Sequence, residues 1–155
     1  MAEPQLTIVI LTRDEARHLG RCLASLASLP ARVLVVDSGS TDTTIAIAEA
    51  AGARVLRHDW VNYARQFNWA LDHGGIDTPW TMRLDADEVV DPALASAITA
   101  LLAAPGDHVG AIVNRRVEFL GRAIRWGGVY PVPLLRLWRT GTGRLEDRWM
   151  DEHVL

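Results

Sequence analysis

The chain predicts an α/β domain built on a parallel sheet, and two observations carry that expectation. Apolar runs rich in β-branched residues alternate with stretches of helical period as far as about residue 105. Polar motifs directly follow three of those runs, at Thr12-Arg13-Asp14-Glu15, at Asp37 and at Asp85. In open parallel sheets ligands gather outside the carboxyl ends of the strands, so three motifs in that position argue for one shared site.

The elements follow in order. Residues 6–11 form a β-branched run that reads as a buried strand. Thr12 or Asp14 then caps a helix whose apolar positions, Ala16, Leu19, Cys22, Leu23 and Leu26, recur at spacings of three and four and share one face. Pro30 ends it. Residues 32–36 are a second strand, residues 37–42 a turn rich in capping residues, and residues 43–51 a helix closed by Gly52 at C′. A third strand is expected at 53–57, a third helix at 62–73 before Gly74-Gly75, and a fourth strand at 79–84. Asp91-Pro92 is a cap followed by proline at the first helical position, opening a helix to about Ala103. Beyond it the pattern changes to short strands at 109–113 and 134–138, with a hairpin whose arms, 115–120 and 123–126, flank Gly121-Arg122. Residues 141–155 read as loop. The shift near Pro105-Gly106 separates two parts of one domain, about 6–105 and about 106–155.

Composition excludes several classes. The 155 residues are 49% hydrophobic and 23% charged, which suits a globular domain rather than a disordered one. A net charge of −3 offers no electrostatic case for nucleic acid. All 16 basic residues are arginine, so there is no lysine for a P-loop or a Schiff base. Cys22 is the single cysteine, which excludes an internal disulfide and fits a reducing compartment; its helix position predicts a core residue. No apolar run reaches the ~18 residues of a membrane span, and residues 1–5 lack the basic and apolar pattern of a signal peptide. Of the tryptophans, Trp69 and Trp80 are expected in the core, and core or partial burial is expected for Trp126 and Trp149, with sugar stacking the alternative. Surface solvation is expected for most of the 16 arginines, with a phosphate contact of a donor or a lipid-linked acceptor open for Arg136 and Arg139.

Leu84-Asp85-Ala86-Asp87-Glu88 is the segment richest in chemistry. Its three carboxylates fall within four residues after an apolar run, and like charges this close repel unless a cation lies between them. A divalent metal shared with phosphates is the natural occupant, because hard cations prefer carboxylate oxygens. Asp and Glu are also ordinary residues of a solvated loop.

Four blocks in order resemble glycosyltransferase family 2, the inverting nucleotide-sugar transferases of GT-A fold. They are Ile8-Val9-Ile10-Leu11-Thr12-Arg13-Asp14-Glu15, with Asp14 where the family usually has Asn; Val35-Val36-Asp37-Ser38-Gly39-Ser40-Thr41-Asp42; Ala64-Arg65-Gln66-Phe67-Asn68-Trp69-Ala70-Leu71; and the Asp-x-Asp segment at Asp85. Downstream, Phe119-Leu120-Gly121-Arg122, Tyr130-Pro131, Leu135-Arg136-Leu137-Trp138-Arg139 and Asp151-Glu152-His153 resemble the bacterial lipopolysaccharide-core glucosyltransferase type. The resemblance implies a mostly parallel central sheet with helices on both faces, in a single domain that is short at its C-terminal end. It implies that Thr12 and Glu15 line a nucleoside pocket, Asp37 contacts the base beside Gly39, and Arg65 lies near the base or diphosphate. Asp85, with Ala86, would meet the ribose, and Asp87 would hold Mn2+ or Mg2+. Asp151 or Glu152 would be the base that takes the acceptor proton, and His153 a metal ligand or a diphosphate contact.

The implied reaction moves one sugar from a nucleotide-diphosphate donor, with UDP-sugars favoured, to a saccharide or lipid-linked acceptor in the bacterial cell envelope. The implied location is cytoplasmic, with the inner face of the membrane as a peripheral site. Processive synthesis is not expected, because Leu145 stands where the Gln of a Gln-x-x-Arg-Trp signature would be. Haloacid-dehalogenase-like phosphatases share an Asp-x-Asp-x-Val pattern but place it after the first strand. Sugar nucleotidyltransferases need a lysine-containing loop. A non-catalytic nucleotide-binding module or truncated pseudoenzyme of the same fold is the remaining alternative. No motif encodes the sugar, the acceptor or the oligomeric state.

Overall fold

The computed structural model describes residues 3–127, 130–147 and 154. Its chain order is β1 (Leu6–Thr12), α1 (Ala16–Ala24), β2 (Ala31–Asp37), α2 (Thr44–Ala50), β3 (Arg54–Arg57), α3 (Tyr63–His73), β4 (Trp80–Arg83), α4 (Pro92–Ala103), β5 (Gly110–Arg115), β6 (Glu118–Phe119), β7 (Arg122–Ala123) and β8 (Val132–Arg139). Six strands form one sheet in the order β3-β2-β1-β4-β8-β5. The pairs β2·β3, β1·β2 and β1·β4 are parallel, while β8 runs antiparallel to both β4 and β5. The expected mostly parallel sheet is therefore present, and β5 and β8 complete it.

β1 lies at the centre, and all seven of its residues are buried. Leu6, Ile8 and Ile10 pack with Leu19, Cys22, Ala48, Ile98 and Leu102, which come from α1, α2 and α4. Val9 and Leu11 point to the other face, against Ala64, Phe67 and Ala70 of α3 and against Trp138. A strand covered on both faces cannot alternate apolar with polar, which is why residues 6–11 form a continuous apolar run. Cys22 is fully buried, as expected, and burial pushes its thiol pKa up to about 12, with Glu88, Asp87 and Asp85 adding to the shift.

Side-chain caps close two helix N-termini, and that at Asp91 is the one expected. The Asn62 side chain accepts from the Arg65 amide at α3, and Asp91 accepts from the Leu94 amide at α4. The cap expected on α1 is different. Glu15 occupies the N-cap position without a side-chain bond, and the orphan amides are met from the next loop instead. Glu15 N donates to Thr44 Oγ1 at 2.8 Å, and Ala16 N donates to Asp42 Oδ2 at 3.1 Å. Thr12 turns away to Asp37, and Asp14, at φ 53°, receives the Thr41 amide at 2.7 Å.

The hairpin is shorter than expected and its turn falls one residue earlier. β6 and β7 pair over two residues each, around Leu120-Gly121 with φ values of 49° and 74°. Positive φ at both central residues is the twist that a two-residue hairpin requires.

Candidate functional site

β1 feeds β2 and β3 on one side, and the chain then returns to place β4 on the other side of β1. The crevice at that reversal, beyond the strand carboxyl ends, is where a parallel sheet accepts a ligand. Thr12 ends β1, Asp37 ends β2, and Asp85 follows β4. Three of the sequence motifs thus meet at one edge.

Asp37 has no exposed surface and organises the turn after β2. Thr12 Oγ1 donates to its Oδ2 at 2.9 Å, as does Ser40 Oγ at 2.5 Å, while the amides of Gly39 and Ser40 donate to Oδ1 at 3.0 and 2.8 Å. Four donors use the roughly four lone-pair positions of a carboxylate. Gly39, at φ 85°, makes the tight return possible. Asp37 lies at the floor of a cleft of about 370 Å³ lined also by Gly39, Ser40, Arg57, His58 and Asp59. Gln66 closes the back of this region, donating to Ser38 Oγ and to the His58 carbonyl, both at 3.0 Å. Its Oε1 lies 2.6 Å from His58 Nδ1, and the His58 ring stacks on Trp69 at 4.2 Å. Trp69 is accordingly half-buried between two rings rather than enclosed in the core.

The acidic segment forms a second cluster. Tyr63 Oη donates to Asp85 Oδ1 at 2.5 Å, and Arg83, whose guanidinium lies 4.1 Å over the Tyr63 ring, donates to the same hydroxyl at 3.0 Å. Arg136 Nη2 reaches Asp85 Oδ2 at 3.2 Å and Glu88 Oε1 at 2.7 Å. Arg136 is therefore not among the solvated surface arginines. Residue 136 lies on β8 between β4 and β5, and its side chain is 7% exposed. Arg139 is only half-buried, with its guanidinium over Trp80 and donating to the carbonyls of His108 and Gly106 at the surface. Burial raises the Asp85 carboxyl pKa, but Arg136, Tyr63 and Arg83 outweigh it and hold Asp85 below its ordinary value. Burial dominates at Glu88 and, with the neighbouring Asp85 charge, keeps its pKa above the usual range despite Arg136.

The last turn of α1 holds this loop in place. Arg21 donates to the Asp87 carbonyl at 3.1 Å, and Ser25 Oγ accepts the Val90 amide at 3.1 Å. The Asp87 side chain is exposed, and Ala86 is buried beneath the loop. No group of three or more metal-ligating side chains occurs among the described residues. One outward carboxylate nevertheless suits a hard cation of the kind that shares its coordination with substrate phosphates. Arg136 Nη1 is buried with no hydrogen-bond partner among the described residues.

The α3 motif does a job that sequence reasoning missed. Asn62, Arg65, Asn68 and Asp72 recur at helical spacing and all face the segment 144–147. Asp147 accepts from Asn62 Nδ2 at 3.0 Å and pairs with Arg65 Nε at 3.0 Å. Asn68 bonds the Leu145 backbone in both directions, at 2.8 and 3.0 Å, and Arg144 makes a two-pronged pair with Asp72 at 2.7 and 2.9 Å. The polar period along 62–72 was the available signal. Leu145 also bridges Val154. The expected catalytic residues Asp151 and Glu152, the expected ligand His153, and Trp149 lie outside the described residues. Trp80 is buried as expected, whereas Trp126 is 77% exposed, which corrects the burial expected for it. Glu15 is half-buried at the head of α1, on the same edge as Thr12.

Comparison with known proteins agrees with this geometry. The model of the family described as Glycosyl transferase family 2 matches residues 7–151. The lipopolysaccharide core biosynthesis glycosyltransferase LpsC of Rhizobium meliloti (strain 1021) is 37% identical over 146 residues, which are 91% of this chain and 53% of that protein. A PGL/p-HBAD biosynthesis glycosyltransferase of Mycobacterium bovis (strain BCG / Pasteur 1173P2) is 30% identical over 149 residues, 87% of this chain and 55% of its own length. The chain thus spans about half the length of these two curated relatives. Among solved structures, S. aureus TarS 1-349 matches with a TM-score of 0.66 at 17% identity, covering 89% of this chain and 48% of that one. The mannosyltransferase PcManGT from Pyrobaculum calidifontis, solved with GDP-Man and Mn2+, matches with a TM-score of 0.57 at 23% identity, covering 74% and 36%. Both likenesses show a shared GT-A fold. With a family model running from the first strand to beyond the last, the chain belongs to glycosyl transferase family 2.

Proposed function

We propose that the protein is an inverting glycosyltransferase that moves one sugar from a nucleoside-diphosphate donor to an acceptor hydroxyl in bacterial envelope or lipopolysaccharide synthesis. The observation that carries this reading is the pairing, across the β1/β4 reversal, of the Asp37 turn with the Asp85 cluster. The first offers a cleft bounded by backbone amides and Arg57. The second offers carboxylates held rigid by Tyr63 and Arg136. A nucleoside seated beside Thr12, Glu15 and Gly39, over the turn that Asp37 holds, would extend its ribose toward Asp85 and Ala86. Its diphosphate would then approach the Asp87 carboxylate through a divalent ion shared between them. Arg65, paired with Asp147, would border this site from the start of α3.

Asp87, together with His153, would hold a Mn2+ or Mg2+ ion, which offsets the diphosphate charge as the leaving group departs. Asp151 or Glu152 accepts the acceptor hydroxyl proton while that oxygen attacks the anomeric carbon and the carbon–phosphate oxygen bond breaks. The α3 contacts with 144–147 support this assignment, since they fix the backbone a few residues before both acids. A cytoplasmic site at the inner membrane face fits a nucleotide-sugar donor, and no described helix is long and apolar enough to cross a membrane.

A second reading is a non-catalytic nucleotide-binding module. The observation that favours it is that Asp37 is already engaged by four donors, leaving it no capacity for a base. Calorimetric titration with UDP, GDP and CMP, with and without Mn2+, decides the first step. Metal-dependent binding of one diphosphate, lost in Asp87→Ala, supports the donor site. Binding of none removes the transferase reading. A donor that binds but is neither hydrolysed nor transferred leaves the module.

A further inference from the structure

The hairpin between β5 and β8 takes no part in the donor site, yet it carries the two most exposed large apolar side chains among the described residues, with Phe119 beside them. Phe119, Leu120 and Trp126 are 66%, 87% and 77% exposed. Leu120 stands at the tip of the turn. Phe119, Leu120, Ala123, Ile124 and Trp126, with Arg122, line an open groove of about 450 Å³. Large apolar groups clustered on so short a ribbon are uncommon on a surface that faces only water.

Charge identifies the occupant. Arg115, Arg116, Arg122 and Arg125 are all exposed, and Glu118, paired with Arg116 at 3.0 Å, is the one acidic residue of 115–127. The chain as a whole is net negative at −3, so the hairpin is a local inversion of sign. A second copy of the chain docked on this face would bring arginines against arginines. An apolar tip with an aromatic side chain and guanidinium groups behind it matches the boundary of an anionic bilayer. There apolar groups enter the headgroup zone and arginines meet lipid phosphates.

The location adds an independent argument. Arg115 stands opposite Val132 on β8, and Met82 stands opposite Leu137. The hairpin therefore leaves the sheet at the same edge as Asp85, beyond the carboxyl end of β4. We propose that residues 115–127 dock the protein onto an anionic phospholipid bilayer, with the Leu120 tip inserted. A surface bound there lies beside the crevice, where a membrane-borne acceptor would arrive. The contact itself requires no sugar chemistry.

Co-sedimentation of the full chain with phosphatidylcholine vesicles, with and without phosphatidylglycerol, tests this. Expected is partition onto the phosphatidylglycerol vesicles alone, weakened by added salt. Leu120→Ser should weaken it by about tenfold, and Arg122→Gln and Arg125→Gln by about fivefold each. A blue shift of tryptophan emission on vesicle addition should disappear in Trp126→Phe. All these side chains are exposed, so the variants should keep the urea midpoint of the parent and its nucleotide affinity, which separates this test from that of the donor site. Failure to sediment with anionic vesicles overturns the proposal, as does equal binding to both vesicle types or undiminished binding by Leu120→Ser. A dimer in sedimentation equilibrium that Leu120→Ser dissociates would assign the face to a second copy and also overturn it.

Discussion

Arg136 Nη2 lies 2.7 Å from Glu88 Oε1, a charge-assisted bond between a central strand and the loop that follows another. Both side chains are largely withdrawn from water, so neither tolerates loss of the other. Removing the guanidinium in Arg136→Met would leave Glu88 and Asp85 as uncompensated neighbours. The expected cost is about 3–5 kcal/mol of unfolding free energy, read from urea denaturation. Arg136→Lys should recover only part of it, because an ammonium lacks the planar fork. A loss below about 1 kcal/mol would mean that the cluster does not hold the loop.

The two carboxylates give opposite dependences on pH. Asp85 has its folded pKa below 3.8, so its stabilising contribution is complete above that value and fades as pH falls through the lower folded value. Glu88 has its folded pKa above 4.5, so its protonation stabilises the fold as pH falls through that higher value. Urea midpoints measured from pH 3 to pH 7 should show this against the neutral variants. The margin of the parent over Asp85→Asn should shrink on acidification below about pH 4. Its margin over Glu88→Gln should grow as pH drops toward 5. Equal slopes for both pairs would contradict the assigned environments.

Cys22, with its thiol pushed up to about 12 and no exposed surface, should be inert to Ellman's reagent at pH 8 in the folded protein. Full reaction is expected only in denaturant, at the rate of a free thiol. Rapid labelling under native conditions would show that the last turn of α1 opens readily.

Asn68→Ala removes both side-chain bonds to the Leu145 backbone. The expected loss is about 1–3 kcal/mol, and amide exchange at Leu145 should accelerate more than exchange in β1. If the α3 rail positions the acceptor-side acids, the same variant should lower kcat with donor affinity retained. A fall in donor affinity alone would assign the rail to the nucleotide.

What the sequence determined is what local chemistry can specify. A strand buried on both faces must be apolar throughout, so β1 was legible from residues 6–11. Asn62 and Asp91 cap their helices through bonds to amides three residues ahead, a range that a sequence window contains. Three of the four motifs, those at Thr12, Asp37 and Asp85, fall at strand ends as expected, for the same reason. Tertiary structure decided the remainder. Arg136 and Asp85 are 51 positions apart, and only the insertion of β8 beside β4 makes them partners. The α1 cap comes from Asp42, 26 positions away, because Asp14 is committed to the facing loop. Trp126 was expected to be buried by composition alone, but a ribbon of two-residue strands has no second layer to cover it. Periodicity and capping act over one turn of chain, whereas burial and ion pairing depend on which strands the fold makes neighbours.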